Sequence, residues 1–312
     1  MFSLTNKKIL LTGGAGFLGS YVKKKLVANG ASEKKIIIPR KLEYDLRDFN
    51  NCLKITKDID LLIHLAANVG GISYNMKYPA DLFYDNAIMG INIIEASRIN
   101  NVKKILLTGT VCSYPKHTPV PFRESDLWEG FPEETNAPYG IAKKVLLTQA
   151  QTYNKQYEMN IIYLIPVNLY GPGDQFELEK SHVIPALIKK FVDAMNNNLP
   201  NVEVWGTGEV SREFLFVEDA ATGIVKAAIN YNKPYPVNLG TGTEIKIRDL
   251  AYLIKELVGY KGELSWNKYK PDGQPRRMLD ISRAKNEFGF EAQTELSEGI
   301  KKTLGWYIKN FM

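Results

Sequence analysis

Tyr139 and Lys143 lie four positions apart in Tyr139-Gly140-Ile141-Ala142-Lys143. In a helix that spacing puts both on one face. An ammonium beside a phenol favours the phenolate, so Lys143 is expected to lower the pKa of Tyr139 and ready it for proton transfer. A hydroxyl from another strand end would complete the relay. Thr110, in Leu107-Thr108-Gly109-Thr110-Val111-Cys112, is the candidate. In a chain with 17 tyrosines the pair alone carries little weight. It gains weight from Gly13-Gly14-Ala15-Gly16-Phe17-Leu18-Gly19, where Gly13, Gly16 and Gly19 form a GxxGxxG pattern. Missing side chains let a backbone turn tightly, approach a pyrophosphate and pack helix on strand. The helix that follows offers free N–H groups and a positive dipole end. A plain glycine turn is the bland alternative, and the strand before and helix after argue against it.

The second strand bears on which dinucleotide would fit. Ile36-Ile37-Ile38 is followed by Pro39-Arg40-Lys41, where an NAD site usually carries Asp or Glu. A cation there suits the extra phosphate of NADP, so NADPH is expected; the other reading is a solvated basic loop. Asp45-Leu46-Arg47-Asp48 reads equally as an adenine contact or a charged turn.

These residues need a scaffold, and the apolar pattern supplies one. Lys8 to Thr12, Lys35 to Ile38, Leu61 to Ala66, Lys104 to Thr108 and Asn160 to Pro166 read as strands buried on both faces. Leu18, Val22 and Leu26 mark a helix, and Asn86 to Ile99 and Ile141 to Tyr153 mark two more. Strand and helix in alternation predict an α/β fold, a Rossmann-type doubly wound parallel sheet. The regularity weakens after Pro166. We expect a nucleotide-binding unit of residues 1–169 plus about 213–240, with Phe214 to Tyr231 returning to the sheet. A smaller, discontinuous α+β substrate-binding unit would hold about 170–212 plus 241–312.

The chain has 312 residues, 45% apolar and 24% charged, which excludes a disordered, collagenous or coiled-coil protein. No apolar run reaches the roughly 18 residues of a membrane span. No secretory signal is read in Met1 to Lys8, and two cysteines make no disulfide framework, so the cytoplasm is expected. The net charge of +6 is mild and without a dense basic stripe, which argues against nucleic acid. No metal is implied.

The glycine loop, Thr110 and the Tyr139–Lys143 pair together resemble an extended short-chain dehydrogenase/reductase. Further motifs narrow this: His64-Leu65-Ala66-Ala67-Asn68-Val69-Gly70-Gly71-Ile72, Tyr78-Pro79-Ala80-Asp81, Cys112-Ser113-Tyr114-Pro115-Lys116 and Asn168-Leu169-Tyr170-Gly171-Pro172. Ser181-His182-Val183-Ile184-Pro185-Ala186-Leu187, Val204-Trp205-Gly206-Thr207-Gly208, Arg212-Glu213-Phe214 and Lys270-Pro271-Asp272-Gly273 continue it. All are similar to the GDP-L-fucose synthase family, over essentially the whole chain.

The resemblance implies an activity: epimerisation of GDP-4-keto-6-deoxy-D-mannose at C3 and C5, then reduction at C4 with a nicotinamide cofactor, giving GDP-L-fucose. Protons alpha to a ketone are acidic enough for a side-chain base, and a thiol and an imidazole suit both removal and delivery. Cys112 and His182 stand where the family keeps that pair. Thr110 would hold the 4-oxygen and Tyr139 would protonate it. The implied cofactor set is Gly13, Gly14, Ala15, Gly16, Phe17, Leu18 and Gly19, with Arg40, Lys41, Asp45 and Leu46. Ala66, Ala67, Thr108 and Gly109 join it, as do Tyr139, Lys143, Pro166, Asn168, Leu169 and His182. Asn168, Val183, Lys190, Trp205, Arg212 and Asp272 match the GDP-sugar contacts, with Arg212 on the diphosphate and Asp272 on a base or ribose donor. A homodimer through Asn86–Ile99 and Ile141–Tyr153 is implied too.

Beside these stand plainer readings. Cys52 reads as an apolar filler, His64 as structural and His117 as solvated. Trp205, by type, fits a core as well as a site. Thr110 departs from the family's usual Ser, and the Ala66-Ala67-Asn68 run is shorter than in some members. A sugar 4,6-dehydratase would want an Asp–Glu pair where Val111-Cys112 stands, and a simple 4-epimerase needs no Cys/His pair. The same chemistry on another GDP-4-keto sugar, a colitose precursor or a GDP-heptose, stays open. A non-catalytic dinucleotide- or RNA-binding protein is the distant alternative.

Overall fold

A computed structural model describes all residues, Met1–Met312. In chain order the first part runs β1 (Ile9–Thr12), α1 (Phe17–Ala28), β2 (Ile36–Ile37), α2 (Phe49–Ile55), β3 (Leu61–His64), α3 (Ile72–Lys77), α4 (Pro79–Ile99), β4 (Lys104–Thr108), α5 (Ala137–Tyr157) and β5 (Ile161–Pro166). Then come β6 (Asn168–Tyr170), α6 (Val183–Asn196), β7 (Asn201–Trp205), β8 (Ser211–Phe216), α7 (Val217–Asn230) and β9 (Val237–Leu239). The chain closes with β10 (Glu244–Lys246), α8 (Ile247–Val258), β11 (Glu263–Asn267), α9 (Ser282–Phe288) and α10 (Leu296–Phe311).

The main sheet has the order β2-β1-β3-β4-β5-β9, with every pair parallel. β1, β3 and β4 are buried throughout, because helices cover both faces. Right-handed crossovers explain the two layers. From β1 the chain steps one way to β2, and from β3 it steps the other way to β4 and β5. α1 therefore lies on one face, where it meets α7, while α2, α4 and α5 pack together on the other. The order reverses between β1 and β3, which opens a crevice at the strand C-terminal ends.

Three details differ from the sequence reading. The second strand shrinks to Ile36–Ile37, squeezed between a 3-10 turn at Glu33–Lys35 and Pro39. Phe214 to Tyr231 does not return to the main sheet: it forms the end of β8, in the β10-β8-β6 sheet, and then α7, and the strand that joins the main sheet is β9, just after it. The segment Leu279 to Phe290, expected in the smaller unit, packs Leu279, Ala284, Phe288 and Phe290 into the main core, because α9 sits on α7 and β9.

Apolar side chains form two clusters, one of 49 buried residues around the main sheet and one of 20 around α6, α8 and α10. The second is framed by the β10-β8-β6 and β11-β7 sheets. Both cores draw on β8. Its Leu215 joins the first, and its Phe214 and Phe216 join the second. Glu213, fully buried between them, accepts hydrogen bonds from the backbone N–H groups of Gly242 and Leu279, each at 2.7 Å, and from Thr241 N–H. One carboxylate thus ties β8 to both segments that cross between the cores. Glu213→Gln replaces an acceptor oxygen with a donor that faces these N–H groups. It is expected to cost about 2 kcal/mol, read as a lower urea midpoint with secondary structure retained.

Candidate active site

The crevice is a single cleft of about 1260 Å³ running from the glycine loop to Trp205 and Asp272. That exceeds the roughly 300–1,000 Å³ of a one-ligand pocket. Gly13 shapes its floor. Its φ is +72°, and a Cβ there would lie 2.7 Å from Ala66 N, so the β1 and β3 turns touch only because Gly13 has no side chain. Ala15, Gly16, Phe17, Leu18 and Gly19 line the cleft, but Gly14 does not: it backs onto Leu11 and Ile38. Ala66 and Ala67 follow β3, Thr108 and Gly109 close β4, and Pro166, Asn168 and Leu169 complete this wall.

At the far rim stand exposed Arg40 and Lys41. Asp45 and Leu46 line the cleft beside them. The Asp45 carboxylate is bridged to Arg47 at 2.6 Å, and Arg47 reaches Asp85 at 3.2 Å. His64 is structural. Its Nδ1 pairs with Thr12 Oγ1 at 2.8 Å, and burial holds its pKa down to about 3. Cys52 is buried, with its thiol donating to Leu46 O, and His117 is exposed.

The N-terminus of α5 brings two titratable side chains to the cleft. Pro138 opens the helix, and Tyr139 and Lys143 follow on one face. Thr110 accepts Cys112 N–H at 3.2 Å and so caps the turn Val111–Ser113. That turn docks directly on α5. A Cβ on Gly140 would lie 2.3 Å from Cys112 O, and Ser113 Oγ donates to Gly140 O at 3.0 Å. Thr110, Cys112, Tyr139 and Lys143 therefore reach the cleft from two abutting segments.

The electrostatics correct one expectation. Lys143 Nζ lies 5.8 Å from the Tyr139 ring centroid, yet the Tyr139 pKa is raised, not lowered. Burial dominates and the nearby Cys112 adds to it. Burial also pulls Lys143, 1% exposed, down to about 8. Tyr139 thus holds a proton it can donate. His182 caps the start of α6, and its pKa is lowered by burial and then by the Arg277 guanidinium. Cys112 and His182 line the same cleft.

Further along, Trp205 is 40% exposed, so it is no core aromatic. The ammonium groups of Lys270 and Lys190 lie 4.7 and 5.9 Å from its ring centroid, and Lys190 also donates to Glu203 O. Val183 lines the same stretch. The Asp272 carboxylate accepts Thr207 N–H at 2.8 Å and its hydroxyl at 2.9 Å, so it shapes the loop before it meets any ligand. Arg212 donates to the backbone carbonyls of Ser211 and Asp272, and burial drives its pKa down to about 9, helped by Arg277.

Sequence reasoning passed over Arg277, Asn136 and Asn75, and named Lys270 only within a motif, without a role. Arg277, 5% exposed, lines the cleft and donates to Gln274 and Asn168. The available signal was its place five residues after Asp272. Asn136 and Asn75 also line the cleft, and Asn136 sits just before α5.

Known proteins carry the same plan. The profile of the NAD dependent epimerase/dehydratase family matches residues 9–240. The chain belongs to that family. Within this epimerase/dehydratase family it is 36% identical to a GDP-L-fucose synthase of Escherichia coli, covering 98% of both chains. It is also 36% identical to a GDP-L-colitose synthase of Yersinia pseudotuberculosis, covering 96% of this chain and 98% of the other. Among solved structures, a GDP-6-OMe-4-keto-L-xylo-heptose reductase from C. jejuni superposes with TM-score 0.90 at 29% identity, over 99% of both chains. A GDP-L-fucose synthetase from Naegleria fowleri bound to NADP gives TM-score 0.87 at 28% identity, over 98% and 95%.

The Lys143 pKa of about 8 has a kinetic consequence. kcat/KM for ketone reduction should fall as pH rises through about 8, because the ammonium is lost above that value. Lys143→Arg keeps its charge, so it should react more slowly but without that basic limb. An NADPH-oxidation profile from acid to alkaline pH reads both.

Proposed function

We propose that this chain epimerises GDP-4-keto-6-deoxy-D-mannose at C3 and C5 and reduces the C4 ketone with NADPH, giving GDP-L-fucose. The observation that carries the reading is the convergence of two proton-transfer pairs, Tyr139–Lys143 and Cys112–His182, on one cleft. GDP-L-fucose synthases match the chain over nearly its whole length.

The residues fit a bound dinucleotide. The Gly13 turn leaves a cradle that a Cβ would fill, α1 starts beside it without an acidic residue in its first turn, and Arg40 and Lys41 suit a 2′-phosphate. When bound, NADPH supplies the hydride that reduces C4. Everything else falls to the chain. Tyr139 donates its proton to the 4-oxygen, helped by the charge of Lys143, and Thr110 Oγ holds that oxygen from the other side. Cys112 and His182 exchange the protons at C3 and C5, one face against the other. During that step Tyr139 and Thr110 stabilise the enolate oxygen. Arg212 grips the diphosphate, and Trp205 with Lys190 and Asp272 holds the nucleoside end. The main-sheet unit carries the cofactor and the smaller unit carries the GDP. The enzyme works in the cytoplasm as a homodimer through α4 and α5, whose outer face exposes Ile91, Tyr84 and Tyr157.

A second reading keeps the chemistry and changes the sugar. The colitose synthase relative, at the same 36% identity as the Escherichia coli fucose enzyme, and the heptose reductase neighbour, at 29% beside 28% for the Naegleria synthetase, favour it. Incubation with GDP-4-keto-6-deoxy-D-mannose and NADPH in heavy water separates the two. Deuterium at both C3 and C5 with NADPH consumed is expected, and Cys112→Ser should lose that label while reducing slowly. NADPH consumption without label would mean a reductase alone, and no turnover would favour another GDP-sugar.

Cofactor choice has its own test. Arg40→Ala with Lys41→Ala should raise the KM for NADPH about 10- to 100-fold, in line with losing charged hydrogen bonds worth roughly 1.5–3 kcal/mol. The KM for NADH should change little. Equal losses would remove the 2′-phosphate from the role of these residues.

A further inference from the structure

Just before α5, a buried carboxylate sits without a cation. Glu133 is 6% exposed and accepts only from neutral donors: Thr135 N–H at 3.2 Å, Thr135 Oγ1 at 2.6 Å and Asn136 Nδ2 at 2.6 Å. An ionised carboxylate has no hydrogen to give. It therefore dictates which way the Asn136 amide faces: Nδ2 toward Glu133, Oδ1 away. On that other side Oδ1 meets Asn75 Nδ2 at 3.0 Å and Cys112 Sγ at 3.8 Å. Both amides are largely buried, Asn136 at 7% exposed and Asn75 at 5%. With its donor side given to Asn136, Asn75 keeps Oδ1 buried and without a partner in the cleft wall.

We infer that Asn136, locked by Glu133, is a positioning residue for Cys112. It offers the thiol one fixed acceptor, so the S–H direction and the sulfur's place against the sugar are set before substrate arrives. This rests on the epimerase–reductase reading and adds to it. Backbone contacts already anchor the Cys112 main chain, through Thr110 Oγ1 to its N–H and the α5 docking at its carbonyl. Only the side-chain torsion is left to choose, and Asn136 chooses it. A misplacement of about 1 Å costs on the order of 10²-fold in a positioned reaction. Tyr139 and Lys143 do not depend on this amide, since no hydrogen bond joins them to it. Loss of Asn136 should therefore separate the two half-reactions.

The test uses the full-length enzyme and two assays. Deuterium uptake at C3 and C5 of GDP-4-keto-6-deoxy-D-mannose reports proton exchange. Oxidation of GDP-L-fucose by NADP⁺ reports hydride transfer at C4 and needs no epimerisation. Asn136→Ala should slow uptake about 10- to 100-fold and leave the oxidation within about threefold of wild type. Glu133→Gln, which keeps shape but offers both a donor and an acceptor, frees the Asn136 amide to turn and should slow uptake as well. The double variant should be no worse than Asn136→Ala. Equal loss of both activities in Asn136→Ala, or loss of neither, would overturn the inference. Independent, multiplying effects of the two substitutions would overturn the route through Glu133. A wild-type enzyme inactive in both assays would count against the proposed function instead.

Discussion

Three cations are buried in the cleft wall with no carboxylate in ion-pairing reach. Lys143, Arg212 and Arg277 are 1%, 8% and 5% exposed. Arg212 spends its hydrogen bonds on backbone carbonyls and Arg277 on neutral amides, which satisfies the donors but not the charge. Uncompensated buried charge costs several kcal/mol per ion, and burial accordingly pushes the pKa values of Lys143 and Arg212 down, to about 8 and about 9. Two of the three stand on regular elements. Lys143 is on α5, whose backbone Tyr163 OH holds through Lys143 O at 2.8 Å, and Arg212 is on β8, pinned by its neighbour Glu213. An anionic ligand drawn between the arginines relieves the cost, so binding and stability rise together. The diphosphate of a GDP-sugar meets that requirement.

The second organising feature is the close approach of one turn to one helix end. Gly140 lets the Thr110–Ser113 turn lie against α5, and from that contact four cleft-lining side chains fan out. Tyr139 and Thr110 face the same cleft, and Cys112 stands beside Asn136 one turn away. In the proposed reaction, reduction and epimerisation thereby share a scaffold. A shift that moves the turn moves both proton sites at once, whereas a side-chain change within it need touch only one.

Much of this was readable from the residues. β4 runs over Lys104–Thr108 as expected, since an unbroken apolar run between loops has one interpretation when helices flank it. The glycine loop was legible because its spacing, its strand and its helix all agree. β9 was not. Its central Asn238 breaks the apolar run, yet it is fully buried, bonded to Tyr114, Glu124 and the carbonyls of Phe122 and Asp280. Partners more than 40 residues away satisfy a polar group that local pattern reading assigns to solvent. Arg277 was hidden the same way, since in Pro275-Arg276-Arg277 it looks like a solvated charge. The Asp272 expectation named the right loop and left out Thr207, because a carboxylate's first partner is set by the turn it closes.

The raised pKa of Tyr139 ties the two halves of the proposed reaction together. Proton removal beside a ketone puts negative charge on the 4-oxygen, and a phenol that holds its proton can donate a hydrogen bond to it without giving the proton up. A phenol ionised in advance would repel that oxygen. Hydride arrival at C4 makes the same oxygen far more basic, and only then does full transfer from Tyr139 become downhill. The charge on Lys143 steadies the phenolate left behind. Burial that keeps the phenol protonated therefore serves the enolate first and the alcohol second, with one residue and no rearrangement. His182, held toward neutral imidazole by burial and by Arg277, completes the arrangement, since a charged imidazolium could not take up a sugar proton.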